Sequence, residues 1–408
     1  MYIRENFAKT SGMRKLYIQT AVIALAVMMA ATTLALRPTP LPVKDVRGEV
    51  QTLEISSKAA FLMEANSGRV LFQKDADTQL PIASMVKIGV LAVIYDALEA
   101  GEITLDEMVV VSDAAASMGG SQAFLDAGSE HSVDALVKSI IIASANDSCV
   151  AMAERISGSE SEFVNRMNAL ATKLGMTGTN YANVTGLPAP DGYSTAADVA
   201  KIYAYMMKSQ FYGRHELVWM YDFAHPGGRV TGLTNTNRHV RFFNGITGGK
   251  TGFTSEAGHC LAVSATRGTL RPVAVVIGAP DSKIRFAETA NMMNYVFGAY
   301  TNELIVSKDT PLVEVGVGKA MQDRAQLFAR DNHYDLVKKG DKSRPEVRIE
   351  PADDITAPFA GTDAQGKVVI VREGKAVAEI DLVTNTDIEK IHYGTAIQKI
   401  ARKFKWAA

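Results

Sequence analysis

Cysteine is scarce in this chain: two among 408 residues, Cys149 and Cys260. That number excludes a disulfide scaffold, and both read as small buried hydrophobes. Bridging them would need Cα atoms within about 7 Å. Charge of one sign is also lacking. The formal net charge is −1, so nothing pulls the chain toward nucleic acid at long range. No zinc-finger, RNA-binding or dinucleotide-binding signature occurs. The seven histidines include no HxxxH or HExxH spacing. No metal site or cofactor is therefore expected, and His239 and His259 read as structural.

Long apolar runs are missing with one exception. Arg4, Lys9, Arg14 and Lys15 precede an apolar stretch from Leu16 to Leu36. Such a basic start and apolar run reads as a cleaved signal peptide or a retained N-terminal anchor, assigned here to residues 1–36. Either one places the rest of the chain outside the cytoplasm. A proline-rich linker follows at 37–50, stiffened because proline fixes its own φ and restrains the residue before it.

Nearly half the residues are apolar, enough for a large core. Ala59–Glu64 and Val70–Phe72 flank Asn66-Ser67-Gly68 and read as a hairpin. Residues 84–100 read as a helix buried nearly all round, with Gly101 as C-cap. Helical patterns cover 132–156, 160–174, 195–208 and 284–299, and Thr195 with Asp198 resembles a capping pair. Strand character appears at 259–265 and 272–278. Helices lying between early and late strands imply one mixed α/β sheet domain over 51–305. Beyond it, alternating segments at 313–317, 367–371 and 376–382 predict a small β-rich domain over 306–384. Residues 385–408 form a basic amphipathic helix pattern. Tyr393, Ile397, Ile400 and Phe404 share one side, and Lys399, Arg402, Lys403 and Lys405 the other. That pattern suits the interface of an anionic membrane.

Three short signatures carry the chemistry: Ser84-Met85-Val86-Lys87, Ser144-Ala145-Asn146 and Lys250-Thr251-Gly252. Ser84 and Lys87 stand at i and i+3, so they share a helix face. A serine hydroxyl attacks well only when a neighbour takes its proton. A lysine does so once burial and a second cation, here Lys250, lower its pKa. Ser144 can relay a proton and Asn146 can offer an amide. Lys250 and Thr251 suit a substrate carboxylate, and Gly252 admits a substrate backbone. Each signature alone is weak or moderate. Their order, with the first heading a buried helix and the last opening a strand, is specific.

At these residues the chain resembles the D-alanyl-D-alanine carboxypeptidases among the low-molecular-mass penicillin-binding proteins. Pro81–Lys87, Asn183–Pro188, Ser194–Asp198, Lys250–Thr254 and Ala257–Leu261 are similar to that family's segments. The likeness extends over roughly 55–408. It implies a serine β-lactamase/transpeptidase-like domain of helices and antiparallel sheet, then a small all-β domain and a terminal amphipathic helix. It also implies roles. Ser84 would be acylated, Lys87 would accept its proton and Ser144 would pass a proton toward the leaving D-alanine. Asn146 and Lys250 would position the substrate, and Thr251 and Arg285 would hold its carboxylate. The N–H groups of Ser84 and Phe253 would form the oxyanion hole. The implied partners are peptidoglycan pentapeptides, β-lactam antibiotics and the outer surface of the cytoplasmic membrane, in a periplasmic or membrane-outer-face location.

Two departures stand out. Ala145 occupies a position that is often glycine in this family, and its methyl could narrow the site. The run Ile246–Gly249 leaves the start of the strand before Lys250 open. A serine β-lactamase shares the signatures, but no Glu-x-x-Leu-Asn segment follows Asn146. A peptidoglycan endopeptidase is the other alternative. A scaffold with a dead site would need a broken catalytic set, and none is broken.

Overall fold

The computed structural model describes residues 53–405. The expected signal segment 1–36 and the linker 37–50 lie outside the described residues. The first elements are β1 (Ala59–Glu64), β2 (Val70–Lys74), a 3-10 turn (Ala83–Val86), α1 (Lys87–Glu99), β3 (Met108–Val110), α2 (Asp113–Ala116) and β4 (Glu130–Ser132). Next come α3 (Val133–Ala143), α4 (Asn146–Ser157), α5 (Glu160–Lys173), α6 (Ala196–Met206), β5 (Met220–Ala224), β6 (Val230–Thr234) and α7 (His239–Phe242). Then follow β7 (Ile246–Thr254), β8 (Gly258–Ala265), β9 (Pro272–Ala279) and α8 (Ser282–Ala299). The C-terminal part adds β10 (Tyr300–Val306), β11 (Val313–Gly316), β12 (Arg324–Ala329), β13 (His333–Lys338), β14 (Glu346–Pro351), β15 (Gly366–Arg372), β16 (Lys375–Val383) and α9 (Tyr393–Lys405).

The central sheet is antiparallel throughout, in the order β2-β1-β9-β8-β7. Its middle strands are apolar at consecutive positions because both faces are covered. Phe61, Val275 and Ala262 point into one core with the large helical layer, while Leu62, Val276 and Leu261 join Met292, Met293 and Val296 of α8 on the other face. The period of two along each strand thus divides one apolar run between two cores. α1 runs through the first core, and all its residues but Asp96 and Glu99 are buried. A helix so enclosed gives Lys87, its first residue, a rigid and dry setting.

Helical caps fix the frame. Asp281 Oδ1 accepts from the N–H groups of Lys283 and Ile284 at the start of α8, at 2.7 and 2.9 Å. Thr195 Oγ1 caps α6 by accepting from Asp198 N at 3.0 Å. The shorter Asp198 does not reach back to close a capping box; it accepts from Gly178 N at 2.9 Å and so ties α6 to the preceding loop.

The helical pattern over 132–156 is two helices, not one. α3 ends at Ser144, whose φ of +63° and ψ of +36° are left-handed, and α4 restarts at Asn146. β7 begins at Ile246, so Gly248 and Gly249 belong to the strand. A Cβ on Gly249 would lie 2.6 Å from Asn237 Nδ2 and 2.6 Å from a Val263 methyl; only glycine fits there.

In the C-terminal part, five antiparallel strands run β11-β12-β16-β15-β14 around a core that includes Leu327, Val368, Ile370 and Leu382. β10 and β13 form a separate ribbon, and Leu336 of β13 packs into the α8 core. The reading of the sequence had no counterpart for β3, β4, β5, β6, β10, β12, β13 or β14. β12 and β14 do alternate polar with apolar residues, as in Arg324-Ala325-Gln326-Leu327 and Glu346-Val347-Arg348-Ile349-Glu350, although β14 is almost wholly exposed; the other segments are short or broken. Among the described residues no helix is long and apolar enough to cross a membrane.

Candidate active site

Ser84 lies in the 3-10 turn that leads into α1. The residue before it, Ala83, has a φ of +48°, a conformation that costs a non-glycine residue about 1–2 kcal/mol. Two glycines make room for this turn. A Cβ on Gly186 would fall 2.1 Å from the Ala83 carbonyl oxygen, and one on Gly252 would fall 2.6 Å from that of Ile82. β7 and the Asn183–Pro188 loop therefore press on the serine turn from two sides and hold its strained backbone.

Lys87 is completely buried. Its Nζ stands 3.1 Å from Ser84 Oγ, 2.7 Å from Asn146 Oδ1 and 2.5 Å from the Thr185 carbonyl oxygen. No carboxylate of the described residues pairs with it. Burial lowers its pKa below the ordinary 10.5, against smaller raising effects of Cys149 and Asp147. A neutral amine has two N–H bonds and one lone pair. In that form the two carbonyl-type acceptors would take the two N–H bonds, and the lone pair would face the Ser84 hydroxyl. Such an arrangement suits a general base facing a nucleophile.

Asn146 is engaged at both ends of its amide. Oδ1 accepts from Lys87, and Nδ2 donates to the Gly119 carbonyl at 2.7 Å. Its own N–H donates to the Ser121 carbonyl at 2.7 Å. The next residue, Asp147, accepts from Ala123 N and Leu125 N at 3.1 Å each. Together they fasten the 119–125 loop along the site. Ser144 sits at the break between α3 and α4. Its Oγ is buried and meets no hydrogen-bond partner. An orphaned buried hydroxyl costs about 1–3 kcal/mol, so this one is open to a partner supplied by water or substrate. Ala145 is fully buried and packs in the helical core.

Lys250, Thr251 and Gly252 lie in β7, the sheet's edge strand. Lys250 is buried, and its Nζ donates to the Thr251 carbonyl at 2.9 Å. Burial first, then the nearby Lys87, lowers its pKa well below the usual lysine range. Thr251 Oγ1 donates to Thr236 Oγ1 at 2.8 Å, and Thr236 N donates to the Ile142 carbonyl just before the Ser144 break. Arg285, on α8, sends Nη1 to the carbonyls of Gly252 at 2.9 Å and Cys260 at 3.2 Å. It clamps β7 to β8 from below. Its Nε is buried without a partner. Phe253 is 57% exposed, and its ring stacks on His259 with centroids 4.4 Å apart.

The structure thus gathers Ser84, Lys87, Asn146 and the orphaned Ser144 hydroxyl, with Lys250, Thr251 and Gly252 on the adjoining strand. The reading of the sequence gave no roles to Thr185, Gly119, Thr236 or Gly186. Thr185 and Gly186 carried one signal, an Asn-x-x-Gly turn; Gly119 and Thr236 carried none. Neither cysteine is a competing nucleophile, because burial pushes each thiol up to about 11. Both are free. Among the described residues no group of three or more His, Cys, Asp or Glu could hold a metal ion.

The sequence model of one family, described as D-alanyl-D-alanine carboxypeptidase, matches residues 46–281. The chain belongs to the D-alanyl-D-alanine carboxypeptidase family. A second family model, the penicillin-binding protein 5 C-terminal domain, matches residues 300–390. The carboxypeptidase DacF of Bacillus subtilis is 37% identical over 84% of this chain and 88% of its own length. The carboxypeptidase DacC of Escherichia coli is 31% identical over 84% of this chain and 86% of its own. Among solved structures, penicillin-binding protein 5 from Haemophilus influenzae superposes with a TM-score of 0.69 at 29% identity, covering 84% of this chain and 100% of that one. A carboxypeptidase-family fold, helices around an antiparallel sheet with an all-β region after it, is what the chain shows.

Proposed function

We propose that the chain is a serine D-Ala-D-Ala carboxypeptidase acting on peptidoglycan pentapeptides. The observation that carries this reading is the fully buried Lys87 amine between Ser84, Asn146 and Thr185. The Ser84 oxygen attacks the carbonyl of the penultimate D-alanine, and its proton passes to Lys87. The backbone N–H groups of Ser84 and Phe253 stabilise the oxyanion. The intermediate collapses as the C–N bond breaks, and D-alanine leaves with the proton returned through Lys87 or the Ser144 hydroxyl. Water then hydrolyses the Ser84 ester, with the same groups handling its proton.

Lys250 and Thr251 supply the end of the cleft for the terminal carboxylate, and the Arg285 guanidinium backs that strand through the Gly252 carbonyl. A substrate carboxylate beside Lys250 draws a proton onto that lysine and leaves Lys87 neutral, so the two buried amines divide the roles of anchor and base. A β-lactam carries the same carboxylate and a strained amide, so it acylates Ser84 as well. The test is to incubate the protein with a fluorescent penicillin and with a peptide ending in D-Ala-D-Ala. The expected result is Ser84-dependent labelling and D-alanine release. Absence of both overturns the proposal, and rapid penicillin turnover with an inert peptide moves the assignment to β-lactamase.

The export and membrane readings belong here too. Residues 1–36 would direct or anchor the chain at the outer face of the cytoplasmic membrane. α9 would lie in its interface: Tyr393 and Ile397 are 84% and 50% exposed, while Lys399 pairs with Asp323 at 2.7 Å on the β-rich part. Deletion of 393–408 should lower binding to anionic vesicles. Unchanged vesicle binding in a chain that also lacks 1–36 would overturn this part.

A further inference from the structure

A groove opens beside the serine turn, and neither Lys250 nor Thr251 lines it. Ile82, Val86, Leu187 and Pro188 give it apolar walls, and Thr254 and Glu256 line it as well. The Leu187 wall is rigid. Asn183 Oδ1 accepts from Gly186 N at 2.7 Å, and Asn183 Nδ2 donates to the Leu187 carbonyl at 2.9 Å. Leu187 is nevertheless 43% exposed, an apolar face held open. Glu256 lies in the turn between β7 and β8, which Thr254 Oγ1 fixes by accepting from Ala257 N at 3.0 Å. Its carboxylate is exposed and meets no cation or donor among the described residues.

Order along β7 says what reaches this groove. The carboxylate anchor is at Lys250 and Thr251, the oxyanion N–H at Phe253, and Thr254 and Glu256 come next. An extended peptide advances about 3.3–3.6 Å per residue, the same rise as the strand beside it. The leaving D-alanine therefore lies toward Thr251, and the acyl side runs past Phe253 toward Glu256. Apolar walls ending in an unpaired carboxylate fit an aliphatic side chain tipped with an ammonium.

We infer that Glu256 is a specificity-determining residue that selects peptides whose residue before D-Ala-D-Ala carries a free side-chain amine on an aliphatic stem. The inference rests on the carboxypeptidase reading above. Glu256 touches neither the nucleophile nor its base, so it acts on substrate capture and not on the chemical steps.

The test compares two peptides at pH 7.5: Nα-acetyl-L-lysyl-D-alanyl-D-alanine, and the same peptide with its side-chain amine also acetylated. The wild-type enzyme should prefer the free amine by about three- to fivefold in kcat/KM, the scale of an exposed ion pair, with the difference in KM. Raising NaCl to about 1 M should erase the preference. Glu256→Gln should bring the ratio to about one and leave kcat/KM for the acetylated peptide within about twofold of wild type. Glu256→Lys should reverse the ratio. A wild-type ratio of one or less overturns the inference, as does a preference that survives in Glu256→Gln. If the wild-type enzyme cleaves neither peptide, the carboxypeptidase reading itself falls and the inference falls with it.

Discussion

The cleft and the C-terminal β region treat positive charge in opposite ways. In the β region cations sit in water beside carboxylates: Arg324 pairs with Glu314 at 2.8 Å and Arg348 with Glu346 at 2.7 Å. The hydrogen bond to Glu346 raises the Arg348 pKa. In the cleft Lys87 and Lys250 are buried with no carboxylate partner among the described residues, and burial lowers both. The first arrangement keeps charge and contributes little to stability. The second costs stability and holds amines of lowered pKa, as the proposed base requires. Function in this chain lies where charge is left unpaired.

The largest effect that can break this contrast is loss of the nucleophile. Ser84→Ala should lower D-alanine release by about 10⁴-fold or more and abolish penicillin labelling, read by a peptide assay and a fluorescent gel. Residual labelling at the wild-type rate would mean that another nucleophile does the work.

Lys250→Met separates the two sides of the contrast. It removes the carboxylate anchor, so kcat/KM should fall by about 10²-fold. It also removes a buried amine. The folded pKa of such a group lies below its unfolded value, so it destabilises the fold at pH values below the ordinary 10.5 and the penalty vanishes above it. At neutral pH Lys250→Met should therefore raise Tm by a few degrees, measured by calorimetry. A clear fall in Tm would show that the amine is stabilising.

The packing around the serine turn gives the next effect. In Gly186→Ala the new methyl would meet the Ala83 carbonyl at 2.1 Å, at a backbone φ of +78°. We expect a loss of about 3 kcal/mol by denaturant unfolding, with acylation impaired in the folded fraction. The smallest effect belongs to the β region. Arg324→Ala should change stability by less than about 1 kcal/mol and leave turnover unaltered.

The three signatures were legible because each is a short local pattern. The central strands and most helices were legible because burial on one or two faces writes a period into the sequence. The break at Ser144 was not. An apolar run does stop at the short, mostly polar residues Ser144 to Ser148, but what holds the left-handed turn is distant: Asn146 bonded to Ser121 and Lys87, and Thr236 to Ile142. Thr185 escaped for a related reason. It contributes a backbone carbonyl, which any residue has, so its identity says nothing of its place beside Lys87. The strand start before Lys250 was open for the same reason as the break: the neighbouring Asn237 and Val263, which leave no room for a side chain at Gly249, are distant in the sequence.

The central claim is that Ser84 is activated by a lysine kept neutral by burial. Its most direct test is the pH dependence of Ser84 acylation by a fluorescent penicillin, followed by stopped flow from acid to alkaline pH. The account predicts a rate that rises with pH along a single acid limb whose midpoint lies below the ordinary lysine value of 10.5. A rate that rises only around that ordinary value, or one with no limb at all, would contradict it.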